Sequence, residues 1–508
     1  MMRSTKLILL LFLVLTPIFC TNYRISETLN DNSSEKDEAS TDQRIQIQNK
    51  CVIFEENFGD QQDFWIPISD YVLMRATLLS VGTSCYIYMA NETINLMGEA
   101  NAISKCDSLR DEFDAVIYPK AIEIAGHPDG RFGDVDGDPK VTIFLAPLVR
   151  HMGQAYRGFY LAKDDDSFHP YSNRREMVYV DSEMSEHETV CITIHEFNHL
   201  IWMNNELDES ELLMEGAANY AIDYSGYDSW VTDVLVNSYL SHPEISLLYF
   251  NRVYGNLWDA SYGQSYLFVL YLAERYGNGV IRNLVEIQLD GANAVDRALA
   301  DAGYDVTFND VYLDWITACV IDEVYDYDGL YGFESEDYQI SNVRCFLGDF
   351  LPVEEKDVEH FYYGFNVKKM ILPKDYFTFE IEPPSQYALG ISIAIKDKNG
   401  WNVTQKLYTD ESMTIVEYIS GDEIDEVYII TSLMNNNTPS EYGIITLYDN
   451  PPPSLKLDYS FTEWHYGPNL ITESIWILVL GIIVITIIGI AIIFFIRKKK
   501  ESFVTKDP

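Results

Sequence analysis

The spacing of apolar residues changes several times along this chain of 508 residues, and the first change lies at the N-terminus. Arg3 and Lys6 precede an uninterrupted apolar run at 7–15, which is too short to span a bilayer. This pattern is typical of a secretory signal peptide, which we place at 1–20. Residues 21–50 are rich in Ser, Asp, Glu, Asn and Gln, and they predict a flexible leader.

Residues 51–350 combine short strand-like runs with longer segments of helical spacing. Runs rich in β-branched and aromatic residues predict strands, and apolar residues three or four apart predict helices. The strand-like runs are 71–79, 85–89, 141–145 and 177–180, and helical spacing covers 109–124 and then 188–318. Because both patterns occur, we expect an α+β domain over 51–350.

Beyond residue 350 the pattern changes to alternating strand-like segments separated by turn residues. Clear examples are 377–381, 390–395 and 426–431. Such spacing predicts a β-sandwich, which we assign to 351–450. Three consecutive prolines then begin a predicted stalk over 451–474.

The longest apolar stretch is 475–496. Its 22 residues carry no charge and reach about 33 Å as a helix, which is enough for the hydrocarbon core of a bilayer. Four basic residues follow at once and begin a tail over 497–508. By the positive-inside rule this tail lies in the cytoplasm, so the rest of the chain lies outside the cell. We therefore predict a single-pass protein of the cell membrane, with the lipid bilayer as the partner of this transmembrane helix.

Charge and cysteine content narrow the function. The chain has 35 Lys and Arg against 79 Asp and Glu, a net charge of −44. Recognition of nucleic acid requires a basic surface, so we expect no nucleic-acid partner. If Cys20 leaves with the signal peptide, six cysteines remain, an even number that permits disulfides outside the cell. Cys191 has two interpretations, a half-cystine or a buried free thiol.

The chemically informative segment is 191–201, which contains the pattern His-Glu-x-x-His as His195, Glu196 and His199. On a helix, residues four apart lie on one face, so the two histidines can bind one zinc ion. The carboxylate of Glu196 can then take a proton from a water held by that ion. An exposed helix with incidental histidines is the alternative. The apolar residues of 191–201 argue against it, because a buried helix requires partners for these polar side chains.

A catalytic zinc ion needs a third protein ligand and keeps one position for water. Trp202 and Asn205 stand where the metzincin pattern has Gly and His, which excludes that class. Among the downstream acids, Glu215 is the favoured ligand. Its rival Glu211 is explained without a metal by a capping box that begins at Asp208.

Three further residues are candidates for roles around the zinc ion. Asn219 lies one helical turn beyond Glu215 and could hold the outer nitrogen of a histidine ligand, although an ordinary surface asparagine explains it equally well. Tyr262 and His242 follow the metal helices and could stabilise the oxyanion of a tetrahedral intermediate. With 36 tyrosines in the chain, a structural role is the simpler interpretation of Tyr262.

Asp134, Asp136 and Asp138 also suggest a Ca2+ site. Pro139 stands where an EF-hand loop has its glycine, and Leu145 stands where it has its final glutamate. A tight turn that leads into the next strand explains the same residues, and Ca2+ stays an alternative.

These motifs resemble the gluzincin metallopeptidases, and among them the hyicolysin-like family. The zinc motif with Glu215 and Gly216 carries the resemblance, and looser matches lie at 117–120, 134–143, 176–181 and 261–268. The resemblance covers about residues 70–300. The fifteen residues between His199 and Glu215 are fewer than gluzincins usually have. The resemblance implies a zincin-like metallopeptidase domain, with a mixed sheet plus a helical lobe and the metal helix in the cleft, and it implies hydrolysis of peptide bonds.

We therefore expect a membrane-anchored extracellular zinc metallopeptidase that acts on proteins or peptides. Zn2+ would be bound by His195, His199 and Glu215, with Glu196 as the general base. The alternative is a catalytically silent surface protein that keeps the zincin-like fold for adhesion or binding. The intact Glu196 argues against it, since loss of that acid is the simplest way to abolish catalysis. A metal hydrolase that acts on another class of substrate is a third hypothesis.

Overall fold

The computed structural model describes residues 56–464, apart from 69, 132–133, 154–155, 207–208, 228–229, 252–255, 336–337, 341–343, 348–352, 372–375, 382–386, 410–414, 421–423 and 436–453. The predicted signal peptide, leader, membrane span and cytoplasmic tail (1–20, 21–50, 475–496 and 497–508) lie outside the described residues. Within the described residues, no helix combines the length and the apolar character needed to cross a membrane.

The chain divides into two compact units. The first comprises the described residues up to 242 together with 247–311, and the second comprises 243–246, the described part of 312–438 and the described residues after 451. The division falls within the last helix, Phe308–Ile321, and not at residue 350. Side-chain contacts of this helix explain why the division falls there. Tyr312 and Thr317 of this helix hydrogen-bond to hydroxyl groups of the second unit, at 3.0 and 2.8 Å.

The first unit is an α+β fold with one six-stranded sheet. Its strands are β1 (Gln61–Pro67), β2 (Tyr71–Val81), β3 (Cys85–Ala90), β4 (Val141–Ala146), β5 (Gly158–Tyr160) and β6 (Met177–Asp181). Its helices are α1 (Asn91–Met97), α2 (Glu99–Glu112), α3 (Tyr118–Ile124), α4 (Leu148–Met152), α5 (Glu186–Met203), α6 (Glu211–Tyr224), α7 (Trp230–Leu240), α8 (Asn256–Tyr276), α9 (Asn278–Glu286) and α10 (Gly291–Asp301). The next helix, α11 (Phe308–Ile321), belongs to the first unit only up to residue 311. The four strands predicted for this region are confirmed as β2, β3, β4 and β6. The helix predicted at 109–124 is confirmed with an irregularity, because a π-helical turn, Phe113–Ile117, joins α2 to α3.

The strands lie in the order β1-β2-β3-β4-β6-β5. Strands β3, β4 and β6 are parallel, whereas β1, β2 and β5 run antiparallel to their neighbours. Every residue of the central strand β4 is buried, as expected for a parallel strand that is covered on both faces. Strand β5 is an edge strand, and among the described residues it pairs only with β6.

Aromatic side chains from strands that are not neighbours share one core. Phe64 of β1 packs against Tyr88 of β3 and Phe144 of β4, with 5.0 Å between ring centroids in both pairs. Phe159 of β5 stacks on Tyr179 of β6 at 4.5 Å. Because β1 and β4 are separated by two strands, these contacts require the sheet to curl towards this core. Helices α2 and α5 also pack against the sheet.

The second unit contains two sheets that share a core. Their strand orders are β13-β10-β15-β8 and β12-β11-β14-β9-β7. The strands are β7 (Arg344–Leu347), β8 (Val353–Phe361), β9 (Phe365–Ile371), β10 (Tyr376–Ile381), β11 (Ala388–Asp397), β12 (Gly400–Tyr408), β13 (Ile415–Ser420), β14 (Ile424–Met434) and β15 (Ser454–Trp464). The predicted strands at 377–381, 390–395 and 426–431 are confirmed within β10, β11 and β14.

The stalk predicted at 451–474 is wrong for residues 454–464, which form strand β15. This strand lies between β10 and β8 in its sheet. Leu457 and Tyr459 are buried in the core that the two sheets share, and Leu455 packs against it. The alternation of these apolar residues with polar ones is what places the segment in the sheet.

Four of the cysteines are not paired. Cys85, Cys106, Cys191 and Cys319 are free and buried. Burial raises the pKa of the Cys191 thiol to about 11, so this side chain behaves as a small apolar residue. The even number of cysteines therefore does not produce disulfides among these four, and the interpretation of Cys191 as a buried thiol is confirmed.

Candidate metal centre

Helix α5 carries the two histidines, and side chains fix its first turn. Ser185 Oγ accepts a hydrogen bond from the backbone N–H of Glu188 (3.3 Å), and the Ser185 N–H donates to the Glu188 carboxylate (3.1 Å). This is a complete capping box. Just before it, the ammonium group of Lys105 donates to the carbonyl oxygens of Ser182 and Met184, at 3.0 and 2.6 Å. Together these contacts hold the start of α5 in place.

The apolar side of α5 is anchored in the core. Phe197 packs against the rings of Phe113 and Tyr118, with centroid distances of 5.1 and 5.8 Å. Ile194 and Ile201 lie on the same side of the helix as Phe197 and are fully buried. At 100° per residue, the two histidines of the motif lie on the opposite side of the helix. Packing of the apolar side therefore turns both imidazoles towards α6.

Helix α6 supplies the acidic residue, and its start differs from the prediction. The helix begins at Glu211 with Ser210 as its N-cap residue. The capping box predicted from Asp208 to Glu211 is therefore wrong, because Glu211 occupies the first helical position and not the third. Asp208 itself lies outside the described residues. Glu211 is buried, yet it is not one of the residues whose ligand atoms converge.

Gly216 brings α6 close to α8 beside Glu215. A Cβ atom on Gly216 would lie 2.4 Å from the backbone oxygen of Ser265 and 2.6 Å from a methyl group of Val269. No side chain fits there, so the glycine permits the two helices to pack directly. The close contact between α6 and α8 therefore depends on Gly216.

The side chains of His195, His199 and Glu215 converge on one point. The Nε2 atoms of His195 and His199 lie 3.0 Å apart, and Glu215 Oε2 lies 3.3 Å from the first and 3.5 Å from the second. Three ligands of a tetrahedral zinc ion, at about 2.0–2.1 Å from the metal, are separated by about 3.3 Å. The three distances therefore fit one face of such a tetrahedron, which leaves its fourth vertex to another ligand.

Burial and charge make a cation the natural partner of this group. The exposed fractions of His195, His199 and Glu215 are 6%, 3% and 2%. Glu215 Oε2 lies against the two imidazoles, and His199 Nδ1 has no hydrogen-bond partner among the described residues. Burial opposes ionisation of Glu215, but the adjacent imidazoles of His199 and His195 lower its pKa to about 2. The acid is therefore a carboxylate at neutral pH, as a metal ligand must be.

Glu196 lies beside this group and is 1% exposed. Burial raises the pKa of Glu196 to about 8 against the opposing effect of His195, and the Glu215 carboxylate adds to the rise. A divalent cation on the neighbouring ligands would lower this pKa again. The backbone N–H of Tyr160 donates to the Glu196 carboxylate, while Oε1 has no partner among the described residues. Oε1 of Glu196 is therefore available to accept a proton, as a general base requires.

The other candidates are less closely tied to the centre. Asn219 is buried one turn beyond Glu215, but its Nδ2 has no partner among the described residues, so a contact to a histidine ligand stays a prediction. Tyr262 packs against Phe250 and Trp258, at 4.9 and 6.0 Å between centroids. The backbone N–H of His242 donates to the backbone carbonyl of Tyr239 at the end of α7. Roles for Tyr262 and His242 at an oxyanion stay predictions.

A second group of acids forms at the loop before β4. Asp134, Asp136 and Glu176 bring their carboxylate oxygens within 4.8 Å of one another. Asp138 is not part of this group. Its two oxygens accept from the Tyr86 hydroxyl (2.8 Å) and from the N–H of the residue two positions on (3.1 Å). The carboxylates of Asp134 and Asp136 accept hydrogen bonds from nearby backbone N–H groups and form the tight turn predicted before β4. Ca2+ binding stays a prediction.

Strand β5, which lies beside Glu196, was not predicted from the sequence. Its three residues, Gly158, Phe159 and Tyr160, are too few for a period-2 pattern. Glu176 was also missed as a neighbour of Asp134 and Asp136. It joins them only because β4 and β6 pair in parallel, which a local pattern does not reveal.

Comparison with known proteins does not identify a family. No family model matches the chain, and no curated protein matches it. A similar solved structure is that of a family GH115 4-O-methyl-alpha-glucuronidase with specificity for decorated arabinogalactans. It is 9% identical over 63% of this chain, with a TM-score of 0.13. The match spans about half of that enzyme, 49% of its length. At this TM-score the likeness carries no argument about fold or function.

Proposed function

We propose that this protein is a zinc metallopeptidase with a zincin-like domain, anchored at the cell membrane with its catalytic part outside the cell. The convergence of His195, His199 and Glu215 at the distances of a tetrahedral face is the observation that carries the proposal. Two imidazoles and one carboxylate are a ligand set of catalytic zinc sites, in which a fourth position is open.

A zinc ion held there would lower the pKa of water and polarise the carbonyl group of a substrate. The residues of the chain supply the rest. Glu196 takes the proton of the attacking water and delivers it to the leaving nitrogen. Its buried position beside the ligands keeps competing solvent away from the carboxylate. Glu215 stays ionised throughout, because its low pKa prevents it from competing for the same proton.

The edge strand supports a peptide as the substrate. Strand β5 uses one side for β6, and Glu196 lies at its other side, where it accepts from the N–H of Tyr160. An extended peptide can add to the free edge of a sheet through main-chain hydrogen bonds. A peptide bound along β5 would pass Glu196. This argument favours a peptide over a substrate that has no extended main chain.

Substitution of Glu196 tests the proposal. Glu196→Gln should keep zinc, because residue 196 is not a ligand, and should lower the rate of peptide cleavage by about 10²–10⁴-fold. Glu186→Gln on the exposed start of the same helix is the matched control and should cleave like wild type. Cleavage of a peptide library and zinc analysis are the two measurements.

The outcomes separate the hypotheses. Equal cleavage by Glu196→Gln and wild type would refute the mechanism. A wild-type protein that binds zinc but cleaves no member of the library would favour the silent binding protein.

A further inference from the structure

Strand β5 and the residue before it follow one row of side chains on α5. Glu188, Ile192 and Glu196 are four residues apart, so they lie along one face of the helix. At the first position of this row, Arg157 Nη1 lies 3.2 Å from Glu188 Oε1. Gly158 approaches the second and third positions, and the Tyr160 N–H reaches the third. The strand is therefore held against the same helix face that ends at the proposed base.

Gly158 is the point of closest approach. A Cβ atom at this position would lie 2.4 Å from Ile192 Cγ2, and 3.0 Å from both Cγ and Oε1 of Glu196. A contact of 2.4 Å between carbon atoms is far inside their usual separation of about 3.5–4.0 Å. The methyl group of Ile192 cannot turn away easily, because a β-branched residue in a helix has one strongly preferred χ1 rotamer. The backbone of β5 lies this close to Glu196 only because residue 158 has no side chain.

The register of β5 explains why Tyr160 reaches the carboxylate. In an antiparallel pair, hydrogen-bonded and non-hydrogen-bonded positions alternate. The Asp181 N–H donates to the Arg157 carbonyl at 2.7 Å, so the next bonded position on β5 is Phe159, opposite Tyr179. The N–H of Tyr160 therefore points away from β6. It is satisfied by Glu196, the residue at the free edge.

We infer that β5 is the positioning element of Glu196. The absence of a side chain at Gly158 sets the distance between strand and helix. The Tyr160 N–H holds the carboxylate, with Oε1 left without a protein partner among the described residues. The role of Glu196 as a base rests on the proposed function, but the contact between strand and carboxylate does not.

The first experiment replaces the glycine. Gly158→Ala should keep zinc, while kcat falls by about 100-fold, the cost of a displacement of about 1 Å. Gly279→Ala is the matched control, because no atom lies within 4 Å of the added Cβ and its φ is ordinary. Adding Ile192→Ala to Gly158→Ala removes the nearest methyl group and should restore part of kcat. Loss of zinc along with activity, or equal activity of the two alanine variants, would overturn the inference.

The second experiment does not depend on activity or on the stability of the alanine variant. Amide hydrogen exchange is measured on metal-free wild-type protein and on Glu196→Ala. The Tyr160 amide should exchange at least tenfold faster in the variant. This corresponds to a loss of roughly 1.4 kcal/mol in the free energy that protects the amide from exchange. The Phe159 amide, bonded within the β5–β6 ladder, should not change. Equal exchange of the Tyr160 amide in both proteins would overturn the assignment, even if the protein proved to be an active peptidase.

Discussion

The acid group before β4 leads to a quantitative prediction about pH. Glu176 is 3% exposed and shares its surroundings with Asp134 and Asp136. Burial raises the pKa of Glu176 to about 7 from its ordinary value of 4.5, and the two aspartates add to the rise. The folded chain therefore binds the proton of the Glu176 carboxyl group more tightly than the unfolded chain does. The resulting stabilisation is complete below about pH 4.5 and is lost as the pH rises through about 7.

The magnitude follows from the two pKa values. Linkage gives about 3 kcal/mol for the full titration of Glu176, of which about 2 kcal/mol is lost between pH 5.5 and pH 8. The assay is urea unfolding of metal-free protein at these two pH values, with wild type and Glu176→Gln compared. The amide of Gln keeps the acceptor for the Val135 N–H, which Glu176 Oε1 accepts at 2.8 Å, but it does not titrate.

The free energy of unfolding depends on pH through many groups. The difference between wild type and Glu176→Gln gives the contribution of Glu176 alone. If the two proteins lose the same free energy of unfolding from pH 5.5 to pH 8, the burial argument for Glu176 is refuted. A parallel series with Ca2+ at pH 8 examines the calcium alternative. A cation among these carboxylates should restore the lost free energy in wild type and much less in the variant.

Two further predictions concern other parts of the chain. Ser185→Ala should lower the free energy of unfolding by about 1 kcal/mol through loss of the capping box of α5. Urea unfolding of wild type and Ser185→Ala measures this loss, and equal stability of the two proteins would contradict it. In the second unit, burial and then the neighbouring Lys368 lower the pKa of His360 to about 4 against the opposing hydrogen bond to Val358. The unfolded chain therefore binds the proton more tightly, and about 2 kcal/mol should be lost as the pH falls from 7.5 to 5. His360→Gln should remove this component, and an unchanged acid sensitivity would contradict the burial argument.

The sequence was informative where the chemistry depends on local spacing. His195 and His199 share a helix face because they are four residues apart, and this spacing can be read from the amino-acid sequence. Glu215 was also chosen over Glu211, and only Glu215 joins the histidines. The reason given for that choice was wrong, since the helix begins at Glu211. Glu215 lies one turn further into α6 than Glu211, and its carboxylate is the one within 3.5 Å of both imidazoles.

The remaining features depend on contacts between distant parts of the chain. Strand β5 exists because it pairs with β6, which comes after a long loop, and its three residues carry no periodic signal. Glu176 meets Asp134 across the parallel pairing of β4 and β6. Strand β15 was mistaken for a stalk because three prolines precede it, although Leu457 and Tyr459 alternate as a strand requires. Prolines mark where a chain turns, and they do not decide the structure of the next segment.

The most direct measurement of the central claim is the zinc content of three purified proteins. Wild type, Glu215→Gln and Glu211→Gln are compared after dialysis against a low concentration of free zinc, with metal determined by mass spectrometry. Convergence of His195, His199 and Glu215 predicts one zinc ion per chain for wild type and for Glu211→Gln, and a strong loss for Glu215→Gln. Full zinc content in Glu215→Gln, or its loss in Glu211→Gln alone, would contradict this metal centre.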